Sequence, residues 1–134
     1  MTSSIAPESL SPVRLWAGGI ITGLVVAFLL FDGVTKIMRV APVVEASQKL
    51  GMTTGSLPAI GIVLLICTAL YAVPSTAILG AILLTGFLGG ATAIHVRAES
   101  GTFPVVFSIA FGLLAWLGLV LREPRLFWWI LQRH

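Results

Sequence analysis

Four stretches of the chain, residues 15–31, 57–73, 76–96 and 103–121, are almost wholly apolar, and each is about as long as a bilayer is thick. A hydrocarbon core takes about 20 residues of helix, with a range of about 17–25. Within it every backbone N–H and C=O must find a partner inside the protein. Barrel strands alternate apolar and polar residues; these runs do not, so each is expected to be a membrane-spanning α-helix. Composition agrees, with 57% of the 134 residues hydrophobic and 10% charged, where soluble domains carry about 25% charged residues. An ordinary soluble enzyme is excluded, and so is a disordered chain, which needs low hydrophobicity and high net charge. The single cysteine, Cys67, allows no internal disulfide, no CxxC pair and no thiolate metal cage. Alone in the second run, it reads as a small apolar residue.

The punctuation between the runs is that of helices. Pro58 stands near the start of the second, where a missing N–H is tolerated. Val73-Pro74-Ser75-Thr76 leaves so short a connection that the second and third helices must form an antiparallel hairpin. Glu99-Ser100-Gly101-Thr102 with Pro104 beyond does the same for the third and fourth. The expected fold is an all-α membrane protein: a single domain over residues 14–134, with spans at about 15–38, 57–73, 76–97 and 103–121 in an up-down bundle. Residues 1–13, rich in Ser, Thr and Pro, read as a disordered segment. The run behind them lacks the basic start and cleavage site of a signal peptide, and is expected to be retained.

Two amphipathic pieces are expected at the membrane surface. In the first loop Pro42 opens a short helix in which Glu45 and Lys49 would pair at i,i+4, and Gly51 would end it. At the C-terminus, Phe127, Trp128 and Trp129 with Arg125 and Arg133 suit the headgroup region. An even number of crossings puts both termini on one side, together with Trp16 and Trp116. The net charge of +3 does not mark a nucleic-acid binder, because the basic residues sit at the ends of apolar runs as anchors and form no stripe. Basic residues divide evenly between the two faces. Setting aside Lys36 and Arg97, which can belong to a site, the positive-inside rule places the termini in the cytoplasm.

Helices in lipid associate by close packing and interhelical hydrogen bonds. Gly19 and Gly23 make one GxxxG spacing, and Gly86 and Gly90 another, with Gly89 beside them. These glycines are expected to pack helices together, the glycine-rich third span standing centrally. Ionisable side chains in or beside spans are the candidates for chemistry. Asp32 and Lys36 share a face of the first helix, with Arg39 in the same stripe; Thr92, His95 and Glu99 share a face of the third. Arg97 lies about 200° away from His95. Up-down topology brings both helix ends to one membrane face, so Asp32, Lys36, His95, Arg97 and Glu99 can converge there, and no comparable acid–base set stands on the terminal side. Each also has a plainer reading: a helix-end ion pair for Asp32–Lys36, a boundary histidine for His95, a snorkelling anchor for Arg97. Tyr71 is either an interface anchor or a hydrogen-bond donor into the bundle. HExxH, GxSxG, Walker A and GxGxxG are all absent, and one useful histidine makes no multi-histidine metal or haem site, so no metal is expected.

These segments resemble the DoxX-like family over roughly residues 15–126. The resemblance rests on Phe31-Asp32-Gly33-Val34-Thr35-Lys36 closing the first span, Leu50-Gly51 in the loop and Ala69-Leu70-Tyr71-Ala72-Val73-Pro74 closing the second. It continues through Leu79-Gly80-Ala81-Ile82-Leu83-Leu84-Thr85-Gly86-Phe87-Leu88-Gly89-Gly90-Ala91, Ile94-His95-Val96-Arg97 and Leu119-Val120-Leu121-Arg122-Glu123-Pro124-Arg125-Leu126. The chain departs in having Asp32 where the family usually has serine, and Ser75 where a basic residue often follows the proline. The resemblance implies a four-helix protein of the bacterial inner membrane. The family is named after subunits of a quinone-linked sulfur oxidoreductase, and relatives are associated with redox complexes or with assembly of other membrane proteins. Two functions are therefore expected as rivals. One is a subunit that binds a quinone or similar amphipath at Asp32, Lys36, His95, Arg97 and Glu99 and works with a membrane redox protein. The other is a non-catalytic scaffold for another membrane protein or a second copy. A carrier fits less well, for want of an internal repeat or a broken helix.

Overall fold

The computed structural model describes residues 12–123, 125, 126 and 132. The expected disordered segment up to residue 11, and Phe127, Trp128, Trp129 and Arg133 of the expected surface helix, lie outside the described residues. Among the described residues five α-helices follow one another: α1 (Pro12–Met38), α2 (Ala41–Lys49), α3 (Leu57–Ala72), α4 (Ala77–Arg97) and α5 (Thr102–Arg122). All but α2 are long and apolar enough to cross a membrane, α3 and α4 being led in by the 3₁₀ turns Thr54–Ser56 and Pro74–Thr76. Pro12 and Val13, assigned above to the N-terminal segment, are helical, since proline suits the first turn.

The helix ends have local causes. Arg39, Gly51 and Glu99 adopt positive φ just after α1, α2 and α4. Each turn closes as a Schellman motif: the N–H of Val40, Met52 and Ser100 reaches back to the carbonyl of Thr35, Ser47 and His95. Only Gly51 takes this conformation freely; Arg39 and Glu99 hold it against a steric penalty of about 1–2 kcal/mol. Hydroxyls inside the spans turn back on their own helix, as Thr68 does to Leu64 O (2.7 Å) and Thr92 to Leu88 O (2.8 Å).

The four long helices pack in a ring, α1 against α3 and α5, α4 against α3 and α5. Close approach is made at a few glycines. A Cβ on Gly80 would collide with the backbone of Tyr71, so the α3–α4 hairpin is backbone on backbone at that end. Gly18 lies against Leu121 and Arg122, and a Cβ on Gly118 would stand 2.8 Å from Thr22 Oγ1 and 3.2 Å from Tyr71 Oη. At the opposite face Gly61 meets α1, where a Cβ would be 2.6 Å from the carbonyl oxygen of Gly33. The glycines expected to do this work do not: around Gly19, Gly23, Gly86, Gly89 and Gly90 nothing lies within 4 Å of an added Cβ. A GxxxG spacing guarantees that two glycines share a helix face, but not that another helix lies over it. Gly18, about 100° round the helix from Gly19, is on the face that does meet α5.

Tyr71 stands at the centre of the terminal half, with no exposed surface, and its hydroxyl donates to Ala115 O at 2.6 Å. It is thus a donor into the core, the second of the two roles left open above. The Arg122 guanidinium lies over its ring, 5.1 Å from the centroid. Thr22 and Arg122 stand beside it, and Arg14 reaches across from α1 to Val120 O at 3.2 Å, polar contacts on the terminal side that the spacing of residues did not announce. Trp116 likewise ties α5 to α4, its Nε1 donating to Thr85 Oγ1 at 2.7 Å.

Gly80→Ala should destabilise the protein by about 1–3 kcal/mol, because overpacked cores shift backbone, while Gly19→Ala should leave the melting temperature in detergent unchanged or raised. Tyr71→Phe should cost about 0.5–1.5 kcal/mol, the net worth of one hydrogen bond, read in the same melts.

Candidate functional site

The uneven distribution of close contacts leaves room at the face opposite the termini. There α1 is held to α3 through Gly33 and Gly61, while the second half of α4 presents Gly86, Gly90 and Ala91, which fill little space. The result is a cavity of about 620 Å³ between α1, α4 and α5, reaching the start of α3 and walled on one side by α2. Small-molecule sites commonly measure about 300–1,000 Å³.

Its depth is apolar, formed by Leu29 of α1, Phe87 of α4, and Phe107 and Phe111 of α5. Its polar end is built from two helix termini. Asp32 and Lys36 stand one turn apart on α1, and the Lys36 ammonium donates to Asp32 Oδ2 at 2.6 Å. Both side chains are largely covered, at 18% exposed for Lys36 and 31% for Asp32. His95, in the last turn of α4, lines the same cavity; its Nδ1 is buried and has no hydrogen-bond partner among the described residues. Two groups able to donate to an oxygen, one of them cationic, thus border one apolar chamber.

Arg97 and Glu99 stand apart from this arrangement. Both are exposed, and neither lines the cavity. Arg97 sits on another face of α4 from His95, as the helical angle requires. Glu99 lies beyond the helix, in the left-handed turn, and borders a second, shallower depression that it shares with His95. Arg39 is exposed for the same kind of reason: it has left the helix that carries Asp32 and Lys36.

Helix α2 does more than lie on a surface. Pro42, Val43 and Ala46 form part of the cavity wall, and Ser47 is buried against it. Its polar face carries Glu45 and Lys49, both exposed and not joined by an ion pair. Sequence reasoning missed Ser47 and the phenylalanines of α5 as site residues. The i,i+4 spacing of Phe103, Phe107 and Phe111 was visible, but in a span apolar all round no pattern distinguishes a cavity face from a lipid face. Ser108, also at the wall and buried, spends its hydroxyl on Pro104 O at 3.1 Å.

Chemically the arrangement can bind. It offers a cation held by a carboxylate, an imidazole whose Nδ1 has no partner among the described residues, and an apolar chamber. Among the described residues no three or more His, Cys, Asp or Glu side chains come together as a metal site would require. Comparison with known proteins bears on the family. No curated protein and no solved structure gives a significant match. The DoxX-like family model matches residues 20–118, which takes in most of α1, all of α2, α3 and α4, and most of α5. This chain is therefore an integral membrane protein of the DoxX-like family.

Proposed function

We propose that the protein is a binding subunit of a membrane redox system, holding a quinone or similar amphipath in the cavity between α1, α4 and α5. The observation that carries this reading is that Lys36 and His95 border one apolar chamber of about 620 Å³, the buried His95 Nδ1 having no hydrogen-bond partner among the described residues. The oxygens of a quinone head accept hydrogen bonds from the Lys36 ammonium and a His95 N–H. Asp32 fixes the ammonium in place, and the phenylalanines receive the apolar remainder. Arg97 and Glu99 play no direct part in holding the head. Electrons come from or go to a partner membrane protein. The setting is the bacterial inner membrane, with both termini in the cytoplasm and the cavity's charged end on the far side.

Protein purified gently should retain a quinone-like lipid, identified by mass spectrometry of the extract. Lys36→Ala should lower the retained amount by more than about tenfold, since a hydrogen bond to a charged group is worth about 1.5–3 kcal/mol. His95→Ala should lower it by about threefold to tenfold, and Arg97→Ala should leave it unchanged. Equal retention in wild type, Lys36→Ala and His95→Ala rejects the site. The scaffold reading, favoured by the open glycine face at Gly19 and Gly23, then gains if a specific membrane protein co-purifies. For orientation, green fluorescent protein fused after His134 should fluoresce, because it matures in the cytoplasm and not when exported unfolded; a dark fusion together with an active C-terminal alkaline phosphatase fusion reverses the assignment.

A further inference from the structure

On one side of the cavity the wall is made of aromatic rings. At their other end, α1 and α5 touch closely, through Gly18 and Gly118. Beside the cavity they meet instead through phenylalanines: Phe28 lies 5.5 Å from Phe107 and 4.6 Å from Phe111, centroid to centroid. Along α5 the ring of Phe103 is 5.8 Å from Phe107, which is 5.3 Å from Phe111. Phe28, Phe107 and Phe111 line the cavity, whereas Phe103 does not and is 77% exposed. Phe28 and Phe107, at 41% and 38% exposed, are far from sealed. A continuous aromatic strip therefore leads from the outer surface of α5 to the cavity wall.

The position of the strip matters. Phe28, Phe107 and Phe111 lie inside two candidate membrane spans, where the surroundings are lipid hydrocarbon, and Phe103 stands at the end of its span. Opening it needs only rotation of rings about side-chain torsions. No helical hydrogen bond has to break, which in hydrocarbon would be costly. Lys36 is about two turns beyond Phe28 on the same helix, or about 12 Å along its axis. Another part of the wall is α2, through Pro42, Val43, Ala46 and Ser47.

We infer that the α1–α5 crevice at Phe28, Phe107 and Phe111 is a lateral passage for a hydrocarbon tail, so that the cavity takes a long-tailed amphipath directly from the bilayer and holds its head at Lys36 and His95. This rests on the ligand-binding reading above and adds to it the class of ligand, one with an extended apolar tail, and the route by which it arrives.

The test uses two probes with one head, 2,3-dimethoxy-5-methyl-1,4-benzoquinone and its decyl homologue, bound to the full chain in lipid nanodiscs. Partition into lipid raises the apparent affinity of the tailed probe in every variant alike, so the readout is the ratio of the two affinities. In the Phe28→Ala, Phe107→Ala double variant this ratio should fall about fivefold, with tailless binding unchanged; a few lost methylene contacts suffice for that. Phe31→Ala, at a site 69% exposed and not lining the cavity, should leave the ratio as it is. A decyl probe with a photoreactive diazirine on the tail, applied to wild type, should label the segments of α1 and α5 that carry Phe28 and Phe107, and decides the matter if the double variant fails to fold. An unchanged ratio in the double variant, an equal fall in Phe31→Ala, or tail labelling on α2 and α4 overturns the passage while leaving the head site standing. Failure of both probes to bind wild type overturns the head site and the passage together.

Discussion

In hydrocarbon a helix gains nothing by hiding leucine from its surroundings, so the arrangement of this protein depends on the few points where backbones touch. Gly80 against Tyr71, Gly118 against Thr22 and Gly18 against Leu121 draw the terminal half together. At the other face only the Gly33–Gly61 approach of α1 to α3 has comparable closeness. Because close packing is asymmetric, space is asymmetric too, and the cavity is the complement of the glycine contacts. Around Gly86 and Gly90 an added Cβ would meet nothing within 4 Å, and both border the cavity.

The polar groups of the two halves have different surroundings. In the tight half several are bonded within the bundle, although Thr22 Oγ1 and Arg122 Nε are buried there without a hydrogen-bond partner among the described residues. The Tyr71 hydroxyl is bonded to Ala115, the Arg122 guanidinium sits on the tyrosine ring, and the Trp116 indole is bonded to Thr85. In the open half Lys36 has one partner, Asp32, and His95 Nδ1 has none among the described residues. Polar atoms left under-used beside a void are where a ligand finds interaction energy, since an unsatisfied buried polar group is expensive to leave so. Helix capping places them: the Schellman turns at Arg39 and Glu99 end α1 and α4 just past Lys36 and His95, and keep those two side chains in a last helical turn facing the chamber.

Much of this was legible along the chain. Spans show as long apolar runs because lipid forbids polar side chains over about 20 residues, and prolines 58 and 74 with Gly51 mark where helices start or stop. That Asp32 and Lys36 share a face with each other, and Arg97 does not share one with His95, follows from 3.6 residues per turn. Rotation of each helix about its own axis was not legible. Because lipid is as apolar as leucine, hydrophobicity does not mark which face of a span meets protein, so Gly18 could not be told from Gly19, nor the cavity face of α5 from its lipid face. The same ambiguity hid the role of Tyr71 and the hydrogen bond from Trp116 to Thr85.

Local rules read from consecutive residues were thus enough for the number of helices, their ends, their up-down order and the meeting of two charged termini at one membrane face. Which glycines become contacts, whether a void remains and which side chains border it emerged from packing in space. The reason is physical: hydrophobicity along the chain says how deep a residue lies in the membrane, while the azimuth of a uniformly apolar helix is chosen by its neighbours.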